Sequence, residues 1–352
     1  MFKELKIIEL SSVLAGPSVG MFFAELGSKV IKIENKNTNG DVTRNWKLIN
    51  ETSSDQSAYF SSVNWGKEHV FLNFNDKKDL SQVKKLIKSA DIIISNFKSN
   101  DAEKFSLSYK DCKNINPKII YAHLGGFRSE IDRVAFDVVI QAETGYMSMN
   151  GNANSIPLKI PLAMMDILAA HQLKEGILVA LLNQQKNKSS YFVETTLEES
   201  AIASLANQAS NYLMLGHVPE RIGSLHPNIA PYGEIIRSKD DVTIVLAIGT
   251  DKQFFNFTTI LGISKNLLTN YGSNQQRVKN RKSLLSLLKK YALKIKSQAL
   301  IHECKKLKVP IGEIKNIKEV FESKTAQEMI LEEIIEEKRT LRVSTIAFKI
   351  SS

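Results

Sequence analysis

Cysteine is scarce in this chain of 352 residues. Cys112 and Cys304 are its only two cysteines, they lie far apart, and neither belongs to a C-x-x-C pair. Such spacing argues against a disulfide framework and against a thiolate metal site. It fits a protein that works in a reducing compartment.

Long apolar runs are absent as well. The most apolar stretch, 160–182, is interrupted by four ionisable residues, Asp166, His171, Lys174 and Glu175. A membrane span needs about 20 apolar residues with few or no charges. The opening residues, "MFKELKIIEL", alternate lysines with apolar side chains and lack the apolar core of a secretory signal. We therefore expect a cytoplasmic protein with no membrane partner.

Acidic residues are fewer than basic ones, 37 against 47, and the formal net charge is +10. Basic proteins bind polyanions through phosphate contacts, so a nucleic-acid partner has to be considered. The lysines are spread along the chain, and the run "KNRKSLLSLLKKYALKIKSQ" repeats at helical spacing, as solvated helix faces do. We expect no nucleic-acid partner, whereas a small cofactor with several phosphates stays open.

Short β-rich runs alternate with helical patterns before residue 127. The β-rich runs are "LKIIELS", "SKVIKIE", "HVFLNF", "ADIIISNF" and "PKIIYAHLGG", and the helical patterns include "PSVGMFFAELG" and "KKDLSQVKKLIKSA". This alternation predicts an α/β fold with a doubly wound, mostly parallel Rossmann-like sheet and ligands at the carboxyl ends of its strands. The dinucleotide fingerprint is missing, since Gly16, Gly20 and Gly27 do not make G-x-G-x-x-G. Pro17 suits a helix N-terminus that faces a ligand, although a plain tight turn explains it equally well.

The sequence pattern changes near residue 225. The stretch from 161 to about 215 has a helical pattern, and "EIIRS" and "VTIVLAIG", joined by "KDD", then predict a hairpin. Three or so amphipathic helices follow over 251–306, before the strand-like "VPIGEI". This pattern predicts a second, smaller α+β domain at 225–320. The terminal "RTLRVSTIAFKI" is again β-rich.

Asp166 interrupts an apolar stripe. Seven apolar residues share its helical face: Leu162, Ala169, Ala170, Leu173, Ile177, Ala180 and Leu181. A buried, unpaired carboxylate is costly, so this position predicts a helix cap, a salt bridge or a catalytic task. The motif by itself leaves these alternatives open.

Nine segments, in order, resemble the family III coenzyme A transferases, which include formyl-CoA transferase, carnitine CoA-transferase and the homologous α-methylacyl-CoA racemases. They are "LAGPSVGMFFAELGSKVIKIE", "GDVTRNW", "NWGKEHVFLNF", "ADIIISNF", "NPKIIYAHLGGF", "FDVVIQAETGYMSMNG", "PLAMMDILAA", "HPNIAPYGEI" and "VPIGEI". The resemblance implies an interlocked, ring-like homodimer. It also implies a large CoA-binding domain at 1–220 that is completed by 325–352. The family continues beyond the returning strand with a Pro-Gly segment and a helix, whereas this sequence stops at "FKISS".

The resemblance implies that Asp166 is the nucleophile of a CoA transferase. It would attack an acyl-CoA donor, and CoA would pass through an aspartyl anhydride and an aspartyl-CoA thioester to a small carboxylic acid acceptor. No metal and no cofactor beyond coenzyme A would be needed. An N-cap role for Asp166 is compatible with this task, because a nearby helix N-terminus would keep the carboxylate ionised. A non-catalytic CoA-binding protein is the alternative, since it would need the sheet and the Ala15 turn but not Asp166.

The CoA site is carried over from the family by position. It comprises Leu14, Ala15, Asn35, Leu72, Asn75, Asn96, Phe97, Lys98, Lys104 and Asp137. Asn35 stands where the family usually has arginine, so Lys36 or Lys98 would have to compensate. The two lysines Lys98 and Lys104 could equally belong to an ordinary solvated surface.

The acyl pocket is carried over in the same way, to Trp46, Tyr59, Gly125, Gly126, Phe136 and Gln141. Gly125 and Gly126 would let the backbone approach a ligand, unless they are simple turn glycines. The homologous racemases use a histidine where this chain has Phe136, and a phenylalanine cannot move a proton. Phe136 therefore argues against a 2-methylacyl-CoA racemase, which we keep as the second alternative. We interpret His123, His171 and His226 as structural.

Overall fold

The structure is a computed structural model that describes residues 2–52, 56–130, 133–335 and 337–351. A parallel sheet of six strands, ordered β3-β2-β1-β4-β5-β6, forms the centre of the first of two compact units. Its strands are β1 Lys6–Leu10, β2 Lys29–Asn35, β3 Lys67–Leu72, β4 Ile92–Ser95, β5 Ile120–Gly125 and β6 Tyr191–Thr196. The predicted parallel, doubly wound sheet is confirmed.

Helices bury both faces of this sheet. Ile7 packs with α1 and α8 in one apolar core, whereas the next residue, Ile8, packs with α3 and α5 in another, because successive side chains of a strand point to opposite faces. Cys112 and Cys304 are buried free thiols. The helices up to residue 218 are α1 Ala15–Glu25, α2 Ala58–Ser61, α3 Lys77–Lys88, α4 Ser99–Lys104, α5 Tyr109–Ile115, α6 Asp137–Glu143, α7 Tyr146–Met149, α8 Met164–Asn187, α9 Leu197–Ala203 and α10 Ala206–Leu215.

Two glycines let α1 lie close to the end of β1. A Cβ at Gly16 would meet the side chain of Ser11, and one at Gly20 would meet the carboxylate of Glu9. Gly16 and Gly20 of "LAGPSVGMFFAELG" therefore serve close packing between helix and strand. No helix that the structure describes is both long and apolar enough for a membrane span.

The helical pattern predicted from 161 to about 215 is wrong at one place. Residues 191–196 form β6, which pairs with β5 at the edge of the sheet. The predicted stripe on α8 is also wrong at one end, because Leu162 precedes the helix and is 59% exposed. The other six apolar residues of the stripe are buried with Asp166.

The second compact unit comprises Met147–Leu158 and Pro219–Ser323. Its antiparallel sheet, in the order β7-β8-β9, contains β7 Tyr232–Arg237, β8 Thr243–Ala247 and β9 Ile311–Glu313. The helices are α11 Asp251–Ile260, α12 Asn274–Lys279, α13 Arg281–Ala292, α14 Ser297–Lys306 and α15 Ile317–Phe321. The predicted hairpin is confirmed, and four α-helices, rather than three, occupy 251–306 of the described chain.

The last part of the chain, Lys324–Ser352, belongs to the first unit, together with Met1–Tyr146 and Lys159–Val218. It contains α16 Lys324–Glu328 and the antiparallel pair β10 Ile330–Ile335 and β11 Lys338–Val343. The buried carboxylate of Glu25 on α1 pairs with Arg342 and accepts a hydrogen bond from Ser344 Oγ at 2.7 Å. The predicted β-structure of "RTLRVSTIAFKI" ends at Val343, since none of the described residues 344–351 is in a strand.

Candidate active site

The turns after β1 and β4 lie where the strand order of the sheet reverses. In doubly wound sheets, ligands bind outside the carboxyl ends of the strands at this point. Both turns line a cavity of 190 Å³, which we call cavity one. Its described walls are 12–15, 96–99, 123–128, 133–136, Asp166, Glu194, Thr196 and Leu197.

Asp166 is the third residue of α8 and is only 7% exposed at the wall of cavity one. Among the described residues, none donates a hydrogen bond to its carboxylate. Burial raises the pKa of Asp166 to about 7, and the negative charge of Asp137 adds to the shift. This raised pKa runs against the expectation that a helix N-terminus keeps the carboxylate ionised.

A second carboxylate, that of Asp137, holds the first turn of α8. Its Oδ1 accepts hydrogen bonds from the backbone N–H groups of Met165, at 2.6 Å, and Asp166, at 3.4 Å. The N-cap residue of α8 is Ala163, which has no capping side chain. The N-cap alternative for Asp166 is therefore wrong, because its neighbour Asp137 satisfies these helix donors.

The turn after β1 is fixed from two sides. Asn96 accepts a hydrogen bond from Ser12 N at 3.2 Å and donates one to Ser12 O at 3.0 Å. Val13 N donates to both carboxylate oxygens of Asp41, at 3.3 and 3.2 Å. The backbone at Leu14 and Ala15, both predicted to bind CoA, is thereby held at the edge of cavity one.

A second cavity, of 480 Å³, lies on the β2 side, and we call it cavity two. It shares Ser12, Asn96, Phe97 and Lys98 with cavity one, so the two cavities adjoin. Asn35 also lines it. Six residues predicted to bind CoA thus face a cavity: Leu14 and Ala15 face cavity one, Asn35 faces cavity two, and Asn96, Phe97 and Lys98 face both.

Four predicted CoA-binding residues line neither cavity. Leu72 is buried in the core with Ile33 and Phe74. Asn75 is exposed. Lys104 is also exposed, with its ammonium 5.2 Å from the ring centroid of Phe105. Asp137 accepts hydrogen bonds from the first turn of α8, as described above.

The predicted acyl-pocket residues are divided between the wall of cavity one and the layer behind it. Phe136, Gly125 and Gly126 line the cavity, although the close approach at Gly126 is to Ala135. The fully buried Gln141 lies behind the wall, where it donates to Asp137 Oδ2 and accepts from Ile160 N at 2.7 Å.

Tyr59 and Trp46 pack edge to face, with ring centroids 5.1 Å apart. Burial raises the pKa of Tyr59 to about 12, and the charges of Asp166, Asp137 and Asp41 add to the shift. Tyr59 therefore lies within electrostatic reach of Asp166, although neither aromatic residue is part of the wall of cavity one.

Comparison with known proteins identifies the family. Residues 2–352 match the family model "CoA-transferase family III". The chain belongs to CoA-transferase family III. A succinate–glutarate CoA-transferase of Agrobacterium fabrum is 33% identical over 325 residues, which are 90% of this chain and 80% of that protein. A human succinyl-CoA:glutarate CoA-transferase is 31% identical over 322 residues, 90% of this chain and 72% of that protein.

Solved structures agree with this family III CoA-transferase in fold. A CAIB/BAIF family protein from Brucella suis is 32% identical, with a TM-score of 0.82 over 99% of this chain and 92% of that one. The chain Rv3272 of Mycobacterium tuberculosis is 22% identical, with a TM-score of 0.84 over 99% of this chain and 92% of that chain. The second likeness shows the fold alone.

Two arginines of this CoA-transferase at cavity one were missed by the sequence reasoning. Arg128 pairs with Glu194 and Glu199, and these bonds raise its pKa. Arg133 pairs with Glu143, and its guanidinium lies 4.2 Å from the ring centroid of Phe127. The only signal was position: both follow the "HLGG" end of β5, at the carboxyl edge of the sheet.

A group of buried charges beneath the β1 turn was also missed. Lys32 Nζ lies 2.9 Å from Glu9 Oε1 and 3.0 Å from Asp41 Oδ2, and Lys67 Nζ lies 2.8 Å from Glu9 Oε2. We call these four residues the buried charge network. Burial lowers the pKa of Lys67 to about 8, whereas the charges of Glu9 and Asp41 outweigh burial at Lys32 and raise its pKa.

Proposed function

We propose that this family III CoA-transferase moves CoA from an acyl-CoA donor to a short carboxylic acid, with Asp166 as the covalent carrier. The observation that carries the proposal is the setting of Asp166, a buried carboxylate without a hydrogen-bond donor in the wall of cavity one. A poorly solvated carboxylate is a stronger nucleophile than a hydrated one, and the enclosed site keeps water from activated intermediates.

The proposed chemistry balances without a further reagent. An Asp166 carboxylate oxygen attacks the thioester carbonyl, the C–S bond breaks, and CoA leaves as a thiolate while a mixed anhydride forms. The thiolate attacks Cγ of Asp166, giving an aspartyl-CoA thioester and releasing the donor acid. The acceptor carboxylate then attacks Cγ, expels the thiolate and forms a second mixed anhydride. The thiolate attacks the acyl carbonyl of this anhydride, which gives the new acyl-CoA and frees the Asp166 carboxylate. Coenzyme A enters only as part of the substrates.

We further propose that the acceptor is a short dicarboxylic acid. The relatives' names include succinate, glutarate, mesaconate and oxalate. Guanidinium groups match carboxylates in geometry, and Arg128 and Arg133 both line cavity one with Asp166. One carboxylate of the acid would react at Asp166 while the second meets Arg128 or Arg133, whose guanidinium groups pair with Glu194, Glu199 and Glu143 in the structure.

The test is a transfer assay with succinyl-CoA as donor and glutarate, oxalate, mesaconate or hexanoate as acceptor, for the wild-type chain and for Asp166→Ala and Asp166→Asn. We expect transfer to at least one dicarboxylate, slower transfer to hexanoate, and no donor-dependent turnover by either variant. CoA binding and circular dichroism should stay close to the wild type. Retention of more than about a tenth of the turnover, a barrier difference of only about 1.4 kcal/mol, would rule out Asp166 as nucleophile.

The assembly is a separate proposal. Because the family resemblance implies an interlocked homodimer, light scattering should give about twice the chain mass of 39.5 kDa. A monomer that transfers CoA at full rate would contradict it. The domain limits and the cytoplasmic location predicted from the sequence stay predictions.

A further inference from the structure

Val13 has an unusual backbone conformation at the edge of cavity one. Its φ is +74°, and among the described residues it is the only β-branched one with φ in the left-handed region. Branching at Cβ makes this region unfavourable, and such residues persist only where their surroundings hold them in place. Val13 lines cavity one together with Leu14, Ala15 and Asp166. The strained peptide is therefore part of the candidate active site.

The group that holds Val13 comes from a distant part of the chain. Both oxygens of the Asp41 carboxylate accept the hydrogen bond of Val13 N, at 3.3 and 3.2 Å. Asp41 is 28 residues away in sequence and is only 4% exposed. The conformation of Val13 is thus imposed by a buried tertiary contact rather than by its neighbours in sequence.

Asp41 is itself fixed on its remaining sides. Thr43 donates to Asp41 Oδ1 from its backbone N–H at 3.0 Å and from its hydroxyl at 2.8 Å. Lys32 Nζ lies 3.0 Å from Asp41 Oδ2 and also donates to Ser11 O at 2.6 Å. One buried ammonium therefore binds both the residue that leads into the turn and the carboxylate that holds Val13.

We infer that Asp41, anchored by Lys32, is a positioning residue that keeps the turn 11–15 in the strained form that the transfer reaction needs. The inference rests on the proposed function of Asp166. Asp41 lines cavity two but not cavity one, so it acts through Val13. Leu14 follows directly and is the N-cap of α1 without a capping side chain, so a change at Val13 displaces part of the wall of cavity one, which Asp166 also lines.

The test is a double-mutant cycle on turnover with Asp41→Asn and Val13→Gly. Asp41→Asn should lower kcat about tenfold to hundredfold, because small displacements of an active-site wall have effects of that size. Glycine adopts positive φ without steric cost, so a turn with Val13→Gly no longer needs the Asp41 carboxylate to hold it. We therefore expect Asp41→Asn to lower kcat by no more than about threefold in the Val13→Gly background.

Two further variants separate positioning from stability. Asp41→Asn alone leaves the ammonium of Lys32 buried without one of its partners and can therefore fold poorly. Combining it with Lys32→Met removes both charges and avoids this cost. The double variant should lose at least as much kcat as Asp41→Asn, because Lys32 also binds Ser11 O, and Val13→Gly should again relieve most of the loss. Glu25→Gln is the matched control: it removes a buried acceptor on the same helix α1, away from both cavities, and should lower the melting temperature without lowering kcat.

Two results would overturn the inference: Asp41→Asn turning over as fast as the wild type, or the same fold-loss with and without Val13→Gly in folded variants. The second result would assign Asp41 a general structural role. Absence of transfer by both the wild type and Glu25→Gln would instead contradict the proposed function, and the inference with it.

Discussion

The first unit buries its charges in two opposite ways. In the buried charge network, the carboxylates of Glu9 and Asp41 each lie within 3.0 Å of a lysine ammonium. Asp166 is also buried, yet its carboxylate has neither a cation nor a hydrogen-bond donor among the described residues. Paired charges fix the local structure, whereas an unpaired carboxylate acquires a shifted pKa and becomes reactive.

The largest effect on stability is expected where a paired charge is left alone. Glu9→Gln leaves Lys32 and Lys67 buried beside each other with reduced compensation, and should lower the free energy of unfolding by about 3–5 kcal/mol. Urea denaturation measures this. The matched control is Glu68→Gln, which breaks the exposed pair of Glu68 on β3 with Lys29 on β2 and should cost less than about 1 kcal/mol. Equal losses of unfolding free energy in the two variants would contradict the expected difference between the buried and the exposed ion pair.

Replacing Asp166 is expected to change the free energy of unfolding in the opposite direction. Its pKa is raised from 3.8 to about 7 in the folded chain, so between these values the folded state binds more protons than the unfolded state. The contribution of Asp166 to stability therefore falls as the pH rises from about 4 to about 7. Asp166→Asn should unfold at higher urea than the wild type at pH 8, and the difference should vanish near pH 4. A variant less stable than the wild type at pH 8 would show that the carboxylate has a stabilising partner.

The smallest expected effect is a shift of a pH profile. As the proposed nucleophile, Asp166 would have to lose its proton before it attacks, so the first half-reaction should accelerate as the pH rises through about 7. Asp137→Asn removes the neighbouring charge that adds to the raised pKa, so the midpoint should move to lower pH.

Asp137→Asn also weakens the hydrogen bonds to α8, at a cost of about 0.5–2 kcal/mol. Ser108→Ala is the control, because it removes a cap from α5 at a comparable cost and lies away from Asp166. It should leave the midpoint unchanged. A midpoint near 4 in the wild type would show that Asp166 is well solvated during the reaction.

The sequence predicted the parts of this molecule whose pattern is local. The apolar strands β1, β2, β4 and β5 and the buried face of α8 follow from hydrophobic periodicity, and the β7–β8 hairpin follows from its turn signal. The edge strand β6 was missed because the residues of "YFVETT" alternate between exposed and half-buried up to Thr195, and helices precede and follow it in the chain. Because this segment is short and partly polar, a prediction from periodicity assigns it to the helical pattern on either side.

The site was predictable as a set of residues but not as a set of contacts. Asp166 and the turn at Leu14 followed from matching segments, and both line cavity one. The bonds from Asp41 to Val13 and from Asp137 to Met165 each join residues 28 apart in the chain. No local pattern encodes such pairs, and the tertiary fold alone brings them together.

The most direct measurement is mass spectrometry of the chain after incubation with succinyl-CoA and hydroxylamine, without an acceptor acid. Hydroxylamine attacks an activated aspartyl carbonyl and leaves a hydroxamate on that residue. The account predicts a hydroxamate on Asp166, dependent on the donor and absent from Asp166→Asn. A hydroxamate on a different carboxylate, or none while the same preparation transfers CoA, would contradict Asp166 as the covalent carrier.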